Sequence, residues 1–185
     1  MTDYITTYTG LHFYPTRPEE SAFRIEDIAH ALSLLCRGNG QVKTFLSVGK
    51  HCIWCAREAA GRGYSVRVQL ACLLHDACES YLSDVPTPFK RQLPGYEALE
   101  DQMLALVYEH FLGSPLTEQE EAQVKEIDRD LLWFDLTCLL GEPQSEPEPV
   151  MTTVRSYEVL PFAEVERQYL ALYHELRSQL DAGAV

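Results

Sequence analysis

Residues 70–74 (Leu-Ala-Cys-Leu-Leu) form an apolar run followed at once by His75 and Asp76, with Glu79 one turn further on. The run belongs to a stretch from Ser65 in which Val66, Val68, Leu70, Ala71, Leu73 and Leu74 leave almost no polar side. That pattern predicts a central helix, buried all round. Ionisable groups carried straight off such a helix cost roughly several kcal/mol each unless they are paired or bound to a metal. His75 and Glu79 share a face by i,i+4 spacing, and Asp76 lies about 100° around it. The doublet therefore converges on one cation only if other helices supply further ligands. The alternative is that His75 and Asp76 close the helix and pair with an arginine.

The rest of the chain predicts an all-α bundle in a single domain, residues 1–185. Residues 1–24 look irregular or briefly extended, broken by Gly10, Pro15 and Pro18. From Ile25, the positions Ile28, Ala29, Leu32, Leu35 and Cys36 follow helical spacing as far as Gly38 and Gly40. Ser47 is an N-cap for a second helix through His51, Ile53, Trp54 and Ala59, and Ser65 starts the third. Pro86 and Pro88 interrupt the pattern, and helix signals resume over residues 96–111. Thr117 and Glu120 form a capping box for a helix through Val124, Ile127, Leu131 and Leu132. Residues 141–149 read as an acidic loop and 162–180 as a last helix. No βα alternation occurs.

Net charge is −13, unevenly spread: residues 1–95 carry 10 basic and 9 acidic groups, residues 96–185 carry 5 and 19. Such a surface argues against binding long nucleic acid, which needs a basic stripe, but not against a small phosphorylated ligand. No apolar run approaches the roughly 18 residues of a membrane helix, and no signal peptide opens the chain, so a cytoplasmic protein is expected. The six cysteines sit in apolar segments and read as free buried thiols. Cys52 and Cys55 form a single CxxC beside His51; without a second pair it reads as small apolar residues on helix faces rather than as a zinc or redox site.

Further ligands for the His-Asp doublet exist. His51 lies within the preceding amphipathic helix, and Asp128 sits among Val124, Ile127, Leu131 and Leu132. Two imidazoles and two carboxylates suit Mn²⁺, Fe²⁺, Co²⁺, Ni²⁺ or Zn²⁺ better than Mg²⁺. His30, Ser33 and Arg37 form a polar stripe by i,i+3,i+7 spacing, opposite the apolar face of the first helix. Lys90 and Arg91, after Pro88, are the other cations placed to meet a phosphate.

His51, then His75-Asp76, then Asp128 resembles the H…HD…D pattern of the HD-domain phosphohydrolases. The segment HDACESYLSDVPTPFK (75–90) is similar to that family's HDxxE followed by Asp and a Pro-bounded basic stretch. IEDIAHALSLLCRGNG (25–40) and FLSVGKHC (45–52) resemble one branch, small bacterial and phage proteins allied to 5'-deoxynucleotidases and phage deoxyadenosine triphosphate triphosphohydrolases. The likeness spans about residues 5–139. It implies an HD-type helical bundle and His51, His75, Asp76 and Asp128 as ligands of one divalent transition metal. A second ion, Mg²⁺ or Mn²⁺, would arrive with substrate phosphates. Glu79 and Asp84 would be the acid/base pair, and Arg37 a phosphate contact. It further implies a nucleotide substrate and a homo-oligomer.

Two stretches depart from that branch. Gly38-Asn39-Gly40 and Gln41 follow Arg37 where relatives often carry a bulky aromatic and a His. Lys50 stands where many have Gln or Glu. The expected activity is metal-assisted hydrolysis of a deoxynucleotide, as a triphosphohydrolase or a 5'-deoxynucleotidase. Hydrolysis of a signalling nucleotide such as a guanosine polyphosphate, and a non-catalytic nucleotide or metal sensor, are the competing readings.

Overall fold

The computed structural model describes residues 3–183. Its chain order is a short hairpin, β1 (Ile5–Thr6) and β2 (His12–Phe13), then α1 (Ile25–Leu34), α2 (Val48–Gly61), α3 (Val66–Leu74), α4 (Glu79–Leu82), α5 (Thr87–Lys90), α6 (Tyr96–Leu112), α7 (Glu118–Asp135) and α8 (Phe162–Gly183). The molecule is mostly helical, as the periodicity requires. β1 and β2 pair antiparallel, Ile5 opposite Phe13, within the segment expected to be irregular or briefly extended. Phe13 is fully buried and stacks on Tyr81, 3.9 Å between ring centres, so this aromatic belongs to the core. No helix among the described residues is long and apolar enough to cross a membrane.

The starts of the helices follow their local chemistry. Ser47 and Ser65 accept from the backbone N–H of Lys50 and Val68, and Thr117 and Glu120 cap each other's backbone reciprocally. Helix α3 is the axis of the bundle and packs against α2, α6, α7 and α8. Leu70, Ala71, Leu73 and Leu74 have no exposed surface. Burying each leucine contributes about 1.5–3 kcal/mol, so the segment holds its place despite the polar turn that follows. α8 crosses α1 and α3, where Tyr169 is buried and donates its hydroxyl to the Leu73 carbonyl, 2.6 Å. That tyrosine is therefore core. α2 approaches α1 closely at Gly49, where a Cβ would stand 3.2 Å from the Leu32 carbonyl.

Two boundaries differ from the sequence reading. α1 stops at Leu34, and Leu35 and Cys36 are extended (ψ 129° and 130°). Cys36 forms a bridge with Ser47 across the intervening turn. Arg37 is thereby turned off the helical stripe it would share with His30 and Ser33. α7 runs on beyond Leu132 to Asp135 and into a wide π turn over Leu136–Leu140. A strap from residue 141 to 161 then returns across α2 to the start of α8. Glu58, fully buried, accepts from the backbone N–H groups of Thr152 and Thr153 and from the Thr153 hydroxyl. Lys50 donates its ammonium to the carbonyls of Ser156 (2.7 Å) and Glu158 (2.5 Å), so it anchors the strap instead of a phosphate.

Candidate metal centre

Four side chains from three stretches of chain meet at the base of a cleft. His51 comes from the second turn of α2, His75 and Asp76 from the turn that closes α3, and Asp128 from the middle of α7. His51 Nε2 lies 3.0 Å from Asp128 Oδ1 and 4.0 Å from Asp76 Oδ2. His75 Nε2 lies 3.3 Å from Asp76 Oδ2 and 3.5 Å from Asp128 Oδ1. Bonds of roughly 2.1 Å to a common ion place neighbouring donors about 3.0–3.4 Å apart. Three of the four separations fall in or beside that interval. His51, Cys55, His75 and Asp128 form a group whose donor atoms all lie within 4.8 Å of one another, and such a group could hold a metal ion.

The hydrogen bonding around the imidazoles favours the same conclusion. His75 Nδ1 lies 2.8 Å from the Cys72 carbonyl, which can only accept, so Nδ1 carries a proton and Nε2 is the nitrogen turned to the carboxylates. Nε2 is buried and has no hydrogen-bond partner. His51 is fully buried; its Nδ1 lies 3.3 Å from Asp135 Oδ2, the place of an outer carboxylate behind a metal-binding histidine. Burial and Arg37 oppose a charge on His51, but Cys55, Asp128 and Asp135 hold its pKa well above the ordinary value. Burial likewise opposes a charge on His75, and Asp76 leads the groups that raise its pKa. Burial would raise the Asp128 pKa, but the hydrogen bond with His51 and the nearby His75 imidazole hold it well below the carboxylate range. Three aspartates face one arginine here, and the pocket demands positive charge.

A cavity of about 550 Å³ opens beside the cluster, lined by Arg37, Asp76, Glu79, Asp84, Lys90, Asp128 and Asp135 with an apolar wall from Val42 to Leu140. Arg37 lies 3.3 Å from Asp76 and 3.5 Å from Asp135 and stays charged, burial being outweighed by the carboxylates around it. Glu79 is raised well above the usual range, first by burial and then by Asp76 and Asp84; its Oε2 has no partner. Asp84 accepts from the Gly38 N–H at 2.9 Å, where Gly38 is left-handed (φ 61°), so Asp84 ties down the Arg37 turn. Lys90 lines the cavity and bonds both oxygens of Glu100 at 2.7 Å.

The remaining expected site residues are not brought to the cluster. His30 lies 3.0 Å from Glu166 and stacks on Tyr8 beside a separate cavity of about 430 Å³. Ser33 is fully buried and donates to the His30 carbonyl at 2.7 Å. Neither lines the cavity beside the cluster; α1 ends before Arg37, which therefore does not share their face. Arg91 is exposed at the end of α5 and does not line the cavity. Asp135 is not among the expected site residues, and Cys55, expected as a small apolar residue on a helix face, stands at the cluster. Asp135 stands seven residues beyond Asp128 on the inner face of α7, a spacing that marks it. Cys55 stands four residues beyond His51, with Sγ 3.4 Å from His51 Nε2.

A scan against models of known protein families finds no match. The chain is 34% identical over 108 residues to the uncharacterized protein YfdR of Escherichia coli (strain K12), covering 58% of each chain. It is 31% identical over 176 residues to the uncharacterized protein RCAP_rcc00048 of Rhodobacter capsulatus, covering 88% of this chain and 90% of that one.

Proposed function

We propose that this chain, which belongs to the same family as RCAP_rcc00048, is an HD-type phosphohydrolase that uses a divalent transition metal to cleave a deoxynucleotide phosphate. The observation that carries the reading is the convergence of His51, His75, Asp76 and Asp128 beside a cavity that also presents Arg37, Glu79 and Lys90. A divalent cation held by those four side chains would polarise a phosphoryl oxygen and acidify a bound water.

The chain's own groups supply the rest. Arg37, kept charged and aimed by Asp76 and Asp135, offsets the charge that builds on the phosphoryl oxygens. Glu79, protonated because it is buried among carboxylates, donates a proton to the departing oxygen. Asp84 holds the Gly38 turn and so fixes Arg37 at the mouth. Lys90, already neutralised by Glu100, reaches a phosphate chain only by leaving that partner, a point in favour of one phosphate over three. The apolar wall of Val42, Leu136, Leu139 and Leu140 suits the uncharged sugar and base.

Incubation with a panel of dNMPs and dNTPs in Mn²⁺ or Co²⁺, followed by product analysis, tests the proposal. Orthophosphate from dNMPs is expected. Triphosphate would make the enzyme a triphosphohydrolase, and no product from any of them, with metal bound, would leave a sensor in place of an enzyme.

A further inference from the structure

We propose that Cys55 is a direct thiolate ligand of this metal centre, making it an N/O/S site selective for a borderline-soft ion such as Zn²⁺ or Co²⁺. The inference rests on the metal-centre reading above and adds a donor that the H…HD…D pattern does not contain. Cys55 is one turn along α2 from His51, so the two side chains leave the same helix face. Its Sγ lies 3.4 Å from His51 Nε2 and within 4.8 Å of the His75 and Asp128 donors. With roughly 2.3 Å for a Zn–S bond and 2.0–2.1 Å for a Zn–N bond, the expected S···N edge is about 3.1–3.6 Å. The observed separation falls inside that range.

Two further facts favour a ligand over a core thiol that happens to lie nearby. His75 Nε2, on a side chain only 8% exposed, is unpartnered in the same pocket, so the pocket lacks a group that the cysteine proton alone does not provide. Cys55 itself is 1% exposed, which removes competing water. Cys52 belongs to a different group, with His75 and Asp76 but without His51, and serves as the comparison. On binding, the S–H bond breaks, the proton passes to solvent and the sulfur lone pair forms the bond to the ion. A thiolate donor disfavours Mg²⁺, which prefers oxygen ligands and an octahedron of them.

The test is spectroscopic and does not depend on turnover. Full-length protein loaded with one equivalent of Co²⁺ should show a near-ultraviolet sulfur-to-cobalt charge-transfer band, lost in Cys55→Ser and Cys55→Ala and kept in Cys52→Ser. X-ray absorption on the wild-type Zn²⁺ form should show one sulfur near 2.3 Å, a measurement that stands even if a variant fails to fold. Cys55→Ser should weaken Zn²⁺ by about tenfold or more and Mn²⁺ far less. Stoichiometric metal with only nitrogen and oxygen neighbours would overturn the thiolate assignment and leave the histidine–aspartate site intact. Failure to bind one equivalent of any of these ions would overturn both.

Discussion

Asp135 joins three functions in one side chain. Its Oδ1 accepts from the Tyr157 hydroxyl at 3.1 Å, and its Oδ2 faces both His51 Nδ1 and Arg37 Nε. A carboxylate behind a metal-binding imidazole fixes the ring and raises its basicity, and losing one costs roughly 10–100-fold in metal affinity. Asp135→Asn is therefore expected to lower affinity by about that factor in chelator competition, although the residue touches no ion; unchanged affinity would separate Asp135 from the centre. Glu79 gives a second expectation at the same scale. Its carboxyl is pushed up by burial and by Asp76 and Asp84, so the protonated form is favoured and is lost as pH rises through the raised value. A step that needs this proton should slow on the alkaline side. Glu79→Gln should retain metal, fall roughly 10²–10⁴-fold in rate and lose that alkaline limb. A mutant that kept the limb would assign it elsewhere.

Among the elements, the strap over α2 depends on one buried carboxylate. Burial opposes charge on Glu58, but hydrogen bonds from Thr153 and Thr152 and the Arg62 guanidinium overcome it and lower its pKa to about 2. A depressed folded value means that stability is present in full above the ordinary carboxylate value of about 4.5 and drains away as pH falls towards 2. At about 1.4 kcal/mol per unit, this contribution is roughly 3 kcal/mol at neutral pH. Urea unfolding of Glu58→Gln should show a loss of that order at pH 7 and little difference from wild type near pH 2; equal losses at both would remove the linkage. The strap also marks where sequence reasoning stops. Ser47, Ser65 and the Thr117–Glu120 pair announce their helix starts because a cap is a contact between residues three apart. His51, His75, Asp76 and Asp128 stand out as charged groups set in apolar faces. The route of residues 150–158 rests on Glu58 and Lys50, about a hundred positions away, and no local pattern encodes it. Arg37 is misplaced by the stripe argument because two extended residues, Leu35 and Cys36, end the helical phase. Cys55 reads as a core thiol from composition, although its i,i+4 spacing already sets its sulfur on the helix face of the His51 imidazole.

Across the whole molecule, the cluster links segments that are far apart in sequence, His51 and Asp128 being 77 residues distant. Asp76, Asp128 and Asp135 are drawn into one pocket beside Arg37, and together they call for positive charge on His51 and His75, whose pKa values stand raised. Protons on the two imidazoles and a divalent ion are alternative ways of meeting that demand; because the unfolded chain scatters the ligands, binding of the ion would stabilise the fold by mass action. At a free metal concentration of 100 Kd the gain is about 2.7 kcal/mol. For a chain of this size, that corresponds to a rise of roughly 5–10 °C in Tm. Chelator-stripped protein titrated with Zn²⁺ or Co²⁺ should follow that curve in calorimetry, with saturation at one equivalent. His75→Ala should melt independently of metal. The same variant should rise slightly in Tm with added salt, because screening relieves the repulsion that remains. A wild-type Tm that ignored both ions would show that the acidic pocket is stabilised by protons alone, and the metal centre would fall with it.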